Sequence, residues 1–325
     1  MSTKSAVCTL FEGHHHYGVA ALVNSLHKQG FQGNIYAGYR GNSPSWLKSI
    51  PAVTPPVEWP GAQSFQVSEA IVLHCLPLQT DYHFTNFKPD FMLKLWEGVA
   101  SDVNQFFYFD PDIVLIASWS FLIDWVNCGI AVCEDVNSPL AEFHPRRVAW
   151  RRYFSANSIH LRFRQAIYVN GGFIGVQDKS FLKTWQKIQE VMAPQIGGLN
   201  RSSLAGTPLN TTDQGPLAPF SKTDQDALNA AIEAWHGEVS YVGKEAMAFE
   251  AGTNLMPHAL GQPKPWQCSY LKRALTGTPP RLVDRAYWLS ANNVLQSQPI
   301  NKVRFKKVEI GVAAMIGRFY RRGTV

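Results

Sequence analysis

Four short stretches of this chain collect side chains able to do chemistry: FFYFDPDIVLI (106–116), YVNGGFIGVQ (168–177), KTDQDALN (222–229) and MPHALGQPKPW (256–266). The first sets two carboxylates, Asp110 and Asp112, inside an otherwise apolar run. Burying either one unpaired costs several kcal/mol or shifts its pKa, so the sequence calls for a positive partner. On an extended chain residues two apart project to the same side, and Pro111 cannot donate to a sheet ladder. The pair therefore reads as an open strand tip whose oxygens suit Mg²⁺ or Mn²⁺. In the second stretch Asn170 precedes Gly171 and Gly172, where backbone can approach a ligand closely. The third places Asp224, Gln225, Asp226 and Asn229 at the start of a helix. The fourth combines an imidazole (His258), a flexible glycine (Gly261) and a cation (Lys264), a set able to cap a metal and hold a diphosphate.

The elements that must position these residues alternate along the chain. Residues 6–11 read as a buried strand, followed by a helix with Val19, Leu22, Val23 and Leu26 on one face and Gly30 as its stop. NIYAGY and EAIVLHCL are further strands, separated by a Pro-rich loop. KPDFMLKLWEGVA reads as a helix with Pro89 in its first turn. The FFYFDPDIVLI strand, the helix SWSFLIDWVNCG and the strand IAVCEDV follow. Beyond them come a basic helix (HPRRVAWRRYFSAN), a strand interrupted by the paired glycines, and the amphipathic helix DKSFLKTWQKIQEVM. Residues 193–220 are polar and irregular, the composition of a functional loop or linker. The helix TDQDALNAAIEAW comes next. Alternating strands and helices imply a doubly wound α/β sheet with ligand sites at strand C-termini.

An Asp-x-Asp after an apolar strand fits more than one chemistry. DPDIV also matches the D-x-D-x-[TV] pattern of haloacid-dehalogenase-type phosphatases, in which Asp110 would be the nucleophile. Those enzymes resemble one another in a later GDxxxD or DD, and this chain contains neither. The ordered set of FDPD, NGG, DQDALN and H-x-x-G-x-x-K-P-W instead resembles the family 8 retaining glycosyltransferases of the GT-A fold, the group of bacterial lipopolysaccharide glycosyltransferases and glycogenin. The likeness runs over about 260 residues, with Tyr17 and NSL (24–26) in the first helix and Lys94 where the family carries a basic residue. It implies a GT-A-type Rossmann-like mixed sheet flanked by helices, with Asp110, Asp112 and His258 as ligands of Mn²⁺ or Mg²⁺. Carboxylates with one imidazole favour Mn²⁺. It further implies a nucleotide-diphosphate sugar as donor, a UDP-sugar in most members, and a saccharide or lipid-linked glycan acceptor. Lys264 and Gly261 would meet the phosphates, Lys94 the donor, and Asn170, Asp224 and Gln225 with Gly171 and Gly172 the transferred sugar. Where the family has a base-contacting Asp three residues before the Tyr stands His14, with Glu12 two further back. A non-catalytic nucleotide-sugar-binding protein has the same signature.

The remaining features bound the reading. Five scattered cysteines without a CxxC suggest neither zinc ribbon nor disulfide framework and fit a reducing, cytoplasmic compartment. No apolar run is long enough to span a membrane, and the N-terminus does not read as a signal peptide. Net charge is +6, without the motif or stacked aromatics of a nucleic-acid reader. Arg147 and Arg151 share a helical face that could meet an anionic acceptor. From Lys302 onward seven Lys or Arg stand against Glu309. Val308, Ile310, Met315, Ile316 and Phe319 are expected opposite these charges, as in a membrane-surface helix. The expected organisation is a catalytic domain, residues 1–270, and a helical basic extension, residues 271–325, associated with an anionic membrane surface or the acceptor.

Overall fold

The central strands are apolar on both sides because both sides are covered. Alternate residues of a strand face opposite ways. Ala6, Cys8 and Leu10 enter one hydrophobic layer, while Val7 and Phe11 enter another. Phe106 and Tyr108 divide from Phe107 and Phe109 in the same manner. Such near-continuous apolar runs are the mark of strands buried between helical layers.

The computed structural model of the chain describes residues 4–202 and 219–319. In order the elements are β1 (Ser5–Glu12), α1 (His16–Lys28), β2 (Gly33–Arg40), β3 (Gln63–Ser68), β4 (Ile71–Pro77), α2 (Lys88–Glu97), β5 (Gln105–Phe109) and α3 (Trp119–Val126). They continue as β6 (Ile130–Cys133), α4 (Pro145–Ala156), β7 (Phe173–Val176), α5 (Lys179–Ile196), α6 (Thr223–Ala234), β8 (Val239–Val242), α7 (Tyr270–Leu275), α8 (Leu282–Ser290) and α9 (Ile300–Gly317). Most of the irregular stretch expected at 193–220 lies outside the described residues.

The strands among the described residues form one sheet in the order β3-β4-β2-β1-β5-β7-β6-β8. β4, β2, β1 and β5 run parallel, but β7 lies antiparallel between β5 and β6. The sheet is therefore mixed. This reversal matters, because it brings the start of β7, and with it Asn170, Gly171 and Gly172, beside the end of β5. Asp110 N donates to Gly172 O at 2.7 Å and fixes that junction. The edge strand β3 and the four-residue β8 carried too weak an apolar pattern to be expected as strands.

The ends of the first helix follow its sequence. Gly30 adopts φ +86°, and the amides of Gly30 and Phe31 return to His27 O and Leu26 O at 3.2 and 3.0 Å. This is a Schellman ending. Near its start, a Cβ on Gly18 would lie 2.1 Å from Pro111 O and 2.9 Å from the Trp266 ring. The helix thus presses directly on the turn between Asp110 and Asp112. The last three helices are joined to this same helix. Buried Asn24 donates to Ser290 O and Leu295 O, both at 2.9 Å, and accepts from Leu295 N at 2.8 Å. Trp266, Tyr270, Tyr287 and Trp288 form a third apolar cluster with Ala21 and Val114.

Gly18→Ala forces one of these backbones to move. It should lower stability by about 1–3 kcal/mol, read as a lower urea midpoint. An unchanged midpoint would show that the helix does not brace the turn.

Candidate functional site

The expected strand tip is a tight turn rather than an extended chain. β5 stops at Phe109, and Ile113 N donates to Asp110 O at 3.1 Å. Both carboxylates nevertheless face one side, because Ile113 then pairs with His258 in an antiparallel bridge and Ala259 N donates to Asp112 O at 3.1 Å. That bridge carries the imidazole to the turn. A Cβ on Gly172 would stand 2.5 Å from His258 Cε1, so only glycine leaves room for the ring.

Each carboxylate divides its two oxygens. Asp110 Oδ1 accepts from Tyr108 Oη at 2.8 Å and lies 3.1 Å from Lys88 Nζ, while its Oδ2 faces His258 Nε2 at 3.7 Å. Asp112 Oδ2 accepts from Lys264 Nζ at 2.5 Å, while its Oδ1 faces the same Nε2 at 3.2 Å. The ligand atoms of Asp110, Asp112 and His258 lie within 4.8 Å of one another. Two carboxylates and one imidazole, largely buried yet open to a cleft, fit a divalent cation. Burial alone would raise the Asp112 carboxyl, but the charges of His258 and Lys264 outweigh it and hold the group far below the usual carboxylate range.

The cleft has a volume of about 440 Å³, within the range of small-ligand sites. It gathers Glu12, Asn170, Gly171, Gly172, Asp224, Gln225, Gly261 and Lys264 around the three ligand residues. Asn170 is held from both ends of its amide: Oδ1 accepts from Gly172 N at 2.8 Å and Nδ2 donates to Asp135 Oδ2 at 2.6 Å. Asn229 brackets Val169 instead, accepting from its N–H at 2.9 Å and donating to its carbonyl at 3.1 Å. Asp226 points away from the cleft, to Tyr168 Oη at 2.8 Å and Lys222 N at 2.8 Å. Burial pushes its carboxyl up to about 7.

Lys88 has no place in the sequence reading and is central here. Its ammonium is buried, donates to Gly171 O at 2.7 Å, and sits 3.1 Å from Asp110 and 3.5 Å from Asp224. Burial would lower its pKa, but the two carboxylates outweigh this and raise it. The Asp224 carboxyl is raised by burial, with Lys88 acting against that. The available signal was a lysine in the first turn of a helix, where the macrodipole disfavours cations unless acids are close.

The structure does not bring Lys94, Arg147, Arg151 or Tyr17 to the cleft. Lys94 is exposed six residues farther along α2, its ammonium 4.4 Å from the Trp59 ring centroid. Arg147 is buried, paired with Glu233 and donating to Ile167 O at 2.7 Å, so its charge is satisfied internally. Arg151 pairs with Glu142. Tyr17 lies against His16, ring centroids 4.0 Å apart and tilted by 43°, and faces Lys302. His14 accepts from Trp266 Nε1 at 2.9 Å, and its neighbour His15 lines the cleft. Glu12 reaches Arg40 at 3.2 Å.

No family model and no curated protein sequence matches the chain. Among solved structures it is similar to galactosyltransferase LgtC in complex with donor and acceptor sugar analogues, at 14% identity and a TM-score of 0.50, over 93% of this chain and 99% of that one. It is also similar to the apo WbbM bifunctional glycosyltransferase, at 12% identity and a TM-score of 0.47, over 95% of this chain. The chain spans about half the length of WbbM, 52%. The eight-stranded mixed sheet flanked by helices is the GT-A-type architecture expected from the sequence.

Lys88→Met leaves Asp110 and Asp224 without their cation. Burial already raises the Asp224 carboxyl and Lys88 opposes that, so without the lysine its folded-state pKa rises further above the unfolded value, and the loss is small near pH 4 and grows as pH rises. A destabilisation of about 3–5 kcal/mol at pH 7.5, shrinking at pH 5, is expected from urea titrations. Equal losses at both values would refute the pairing.

Proposed function

We propose that the chain is a metal-dependent glycosyltransferase. It moves a sugar from a nucleotide-diphosphate sugar, a UDP-sugar by the family resemblance, to a saccharide or lipid-linked glycan, with retention. The observation that carries this reading is the convergence of Asp110 Oδ2, Asp112 Oδ1 and His258 Nε2 while the other carboxylate oxygens are tied inward. The likeness to LgtC, a galactosyltransferase solved with sugar analogues, supports it. Residues 1–270 carry the donor site and residues 271–325 form the extension. No helix among the described residues is long and apolar enough to cross a membrane. Five free cysteines support a cytoplasmic location.

When bound, Mn²⁺ or Mg²⁺ supplies Lewis-acid stabilisation of the charge that develops on a leaving diphosphate. The chain does the rest. Lys264 adds a point charge beside Asp112, and Gly261, at φ +73° with open space where a Cβ would stand, lets backbone approach the phosphates. Asp224, Gln225 and the fixed amide of Asn170 orient the sugar. A side-chain amide is a poor nucleophile, so the reading is a front-face substitution. The bond from the anomeric carbon to the phosphate oxygen breaks, and a bond to the acceptor oxygen forms on the same face. The acceptor's proton passes to the departing phosphate oxygen.

The phosphatase alternative requires an Asp110 free to attack phosphorus. Its Oδ1 is held by Tyr108 and Lys88, so only Oδ2 would be left for that attack.

Calorimetric titration of UDP-sugars with Mn²⁺ tests the assignment. Asp112→Ala and His258→Ala should each weaken metal-dependent donor binding by at least about a hundredfold. Undiminished binding by either variant would falsify the ligand set. Release of free nucleotide on adding a saccharide acceptor separates transfer from mere binding, and formation of a phospho-aspartyl enzyme would favour the phosphatase.

A further inference from the structure

Helix α9 has two apolar faces, and only one of them meets the protein. Val303, Ile310 and Ala313 are buried where the helix packs on α7 and α8. Phe305, Val308, Val312, Met315 and Phe319 recur at three- and four-residue spacing and so line one side of the helix. That side is open: Phe305, Val308 and Met315 are 62%, 66% and 61% exposed. At 100° per residue, exposed Arg304, Lys307 and Arg318 fall together along one flank of this stripe. The helix's one acid, Glu309, is buried, accepting from Leu271 N at 3.1 Å and Lys306 Nζ at 2.6 Å. The exposed surface of α9 is therefore apolar and cationic, with no negative group.

We propose that this stripe seats the protein in the plane of an anionic bilayer surface. Phe305, Val308, Val312, Met315 and Phe319 enter the acyl boundary, and Arg304, Lys307 and Arg318 meet anionic headgroups. Charge selects this occupant over a second copy of the chain, because stripe-to-stripe pairing would crowd the cationic flanks together with no acid to answer them. An uncharged apolar partner would leave the three cations unmatched. Interfacial helices combine these two terms, buried apolar area and attraction of basic residues to anionic lipid. Lys302, 5.8 Å from the Tyr17 ring, connects the start of α9 to the first turn of α1, next to His15 of the cleft. Docking would thus hold the cleft close to the bilayer surface. The proposal concerns the surface alone and does not depend on the glycosyltransferase reading.

Co-sedimentation of the full chain with vesicles tests it. The protein should pellet with phosphatidylcholine–phosphatidylglycerol vesicles and hardly at all with phosphatidylcholine alone, and rising salt should release it. The exposed triple variant Phe305→Ser/Val308→Ser/Met315→Ser should lose pelleting while keeping its melting temperature. Arg304→Gln/Lys307→Gln/Arg318→Gln should cut partitioning by about a hundredfold, at roughly fivefold per charge. Absence of pelleting with anionic vesicles, equal pelleting with both lipids, or an unaffected serine variant would overturn the proposal. So would a dimer in sedimentation velocity that the serine variant dissociates, since a second copy would then own the stripe.

Discussion

The site rests on how two buried carboxylates are shared. A carboxylate moved out of water is driven to take up a proton unless cations and hydrogen bonds hold it ionised. A cation that saturates both oxygens, however, leaves nothing for a ligand. Here Lys88 and Tyr108 grip one oxygen of Asp110, and Lys264 grips one oxygen of Asp112. Each acid still offers an oxygen toward His258. The backbone makes this division possible. Pro111 turns the chain, Gly18 lets α1 support that turn, and Gly172 leaves the volume that the imidazole fills.

The same contacts tie distant segments into one unit. Through a single ammonium, Lys88 at the start of α2 meets the end of β5, the turn before β7 and the start of α6. A cation in the first turn of a helix opposes the macrodipole, whereas Asp224 in the first turn of α6 is favoured by it. Their pairing offsets the one with the other. Because both acids share this one buried cation, altering the lysine leaves two carboxylates unmatched in a poorly solvated place. Site and fold should lose stability together.

Much of this was legible in the residues, and the limits have physical causes. FDPD, NGG, DQD and the His-Gly-Lys loop announced themselves because polar or flexible residues interrupt apolar runs at element ends. All converge on one cleft because β7 reverses direction, and nothing in a strand's own pattern reports which way it runs. Lys88 stayed hidden because a lone lysine before a proline reads as surface. Arg147 misled for the opposite reason: helical spacing placed it on a basic face, whereas a distant glutamate, Glu233, took it into the interior. Pairing across 86 residues leaves no trace in local periodicity. The apolar stripe of α9 was visible in part, but its sidedness was not. Ile310 faces inward while Val308 and Met315 face out, and only the packing of α7 and α8 decides that.

Charge inside the cleft also constrains the order of binding. Three acids, Asp110, Asp112 and Asp224, stand against two lysines, Lys88 and Lys264. An anionic group entering that field would meet repulsion from these acids. A dication held by Asp110, Asp112 and His258 would offset that repulsion and favour an anionic group beside it. Each ligand must then raise the affinity of the other by the same factor, since coupling between two binding equilibria is reciprocal. Lys264 is the residue through which this coupling acts most directly. Its ammonium is bonded to Asp112 Oδ2 and Ala259 O, which leaves its third donor for an anionic oxygen.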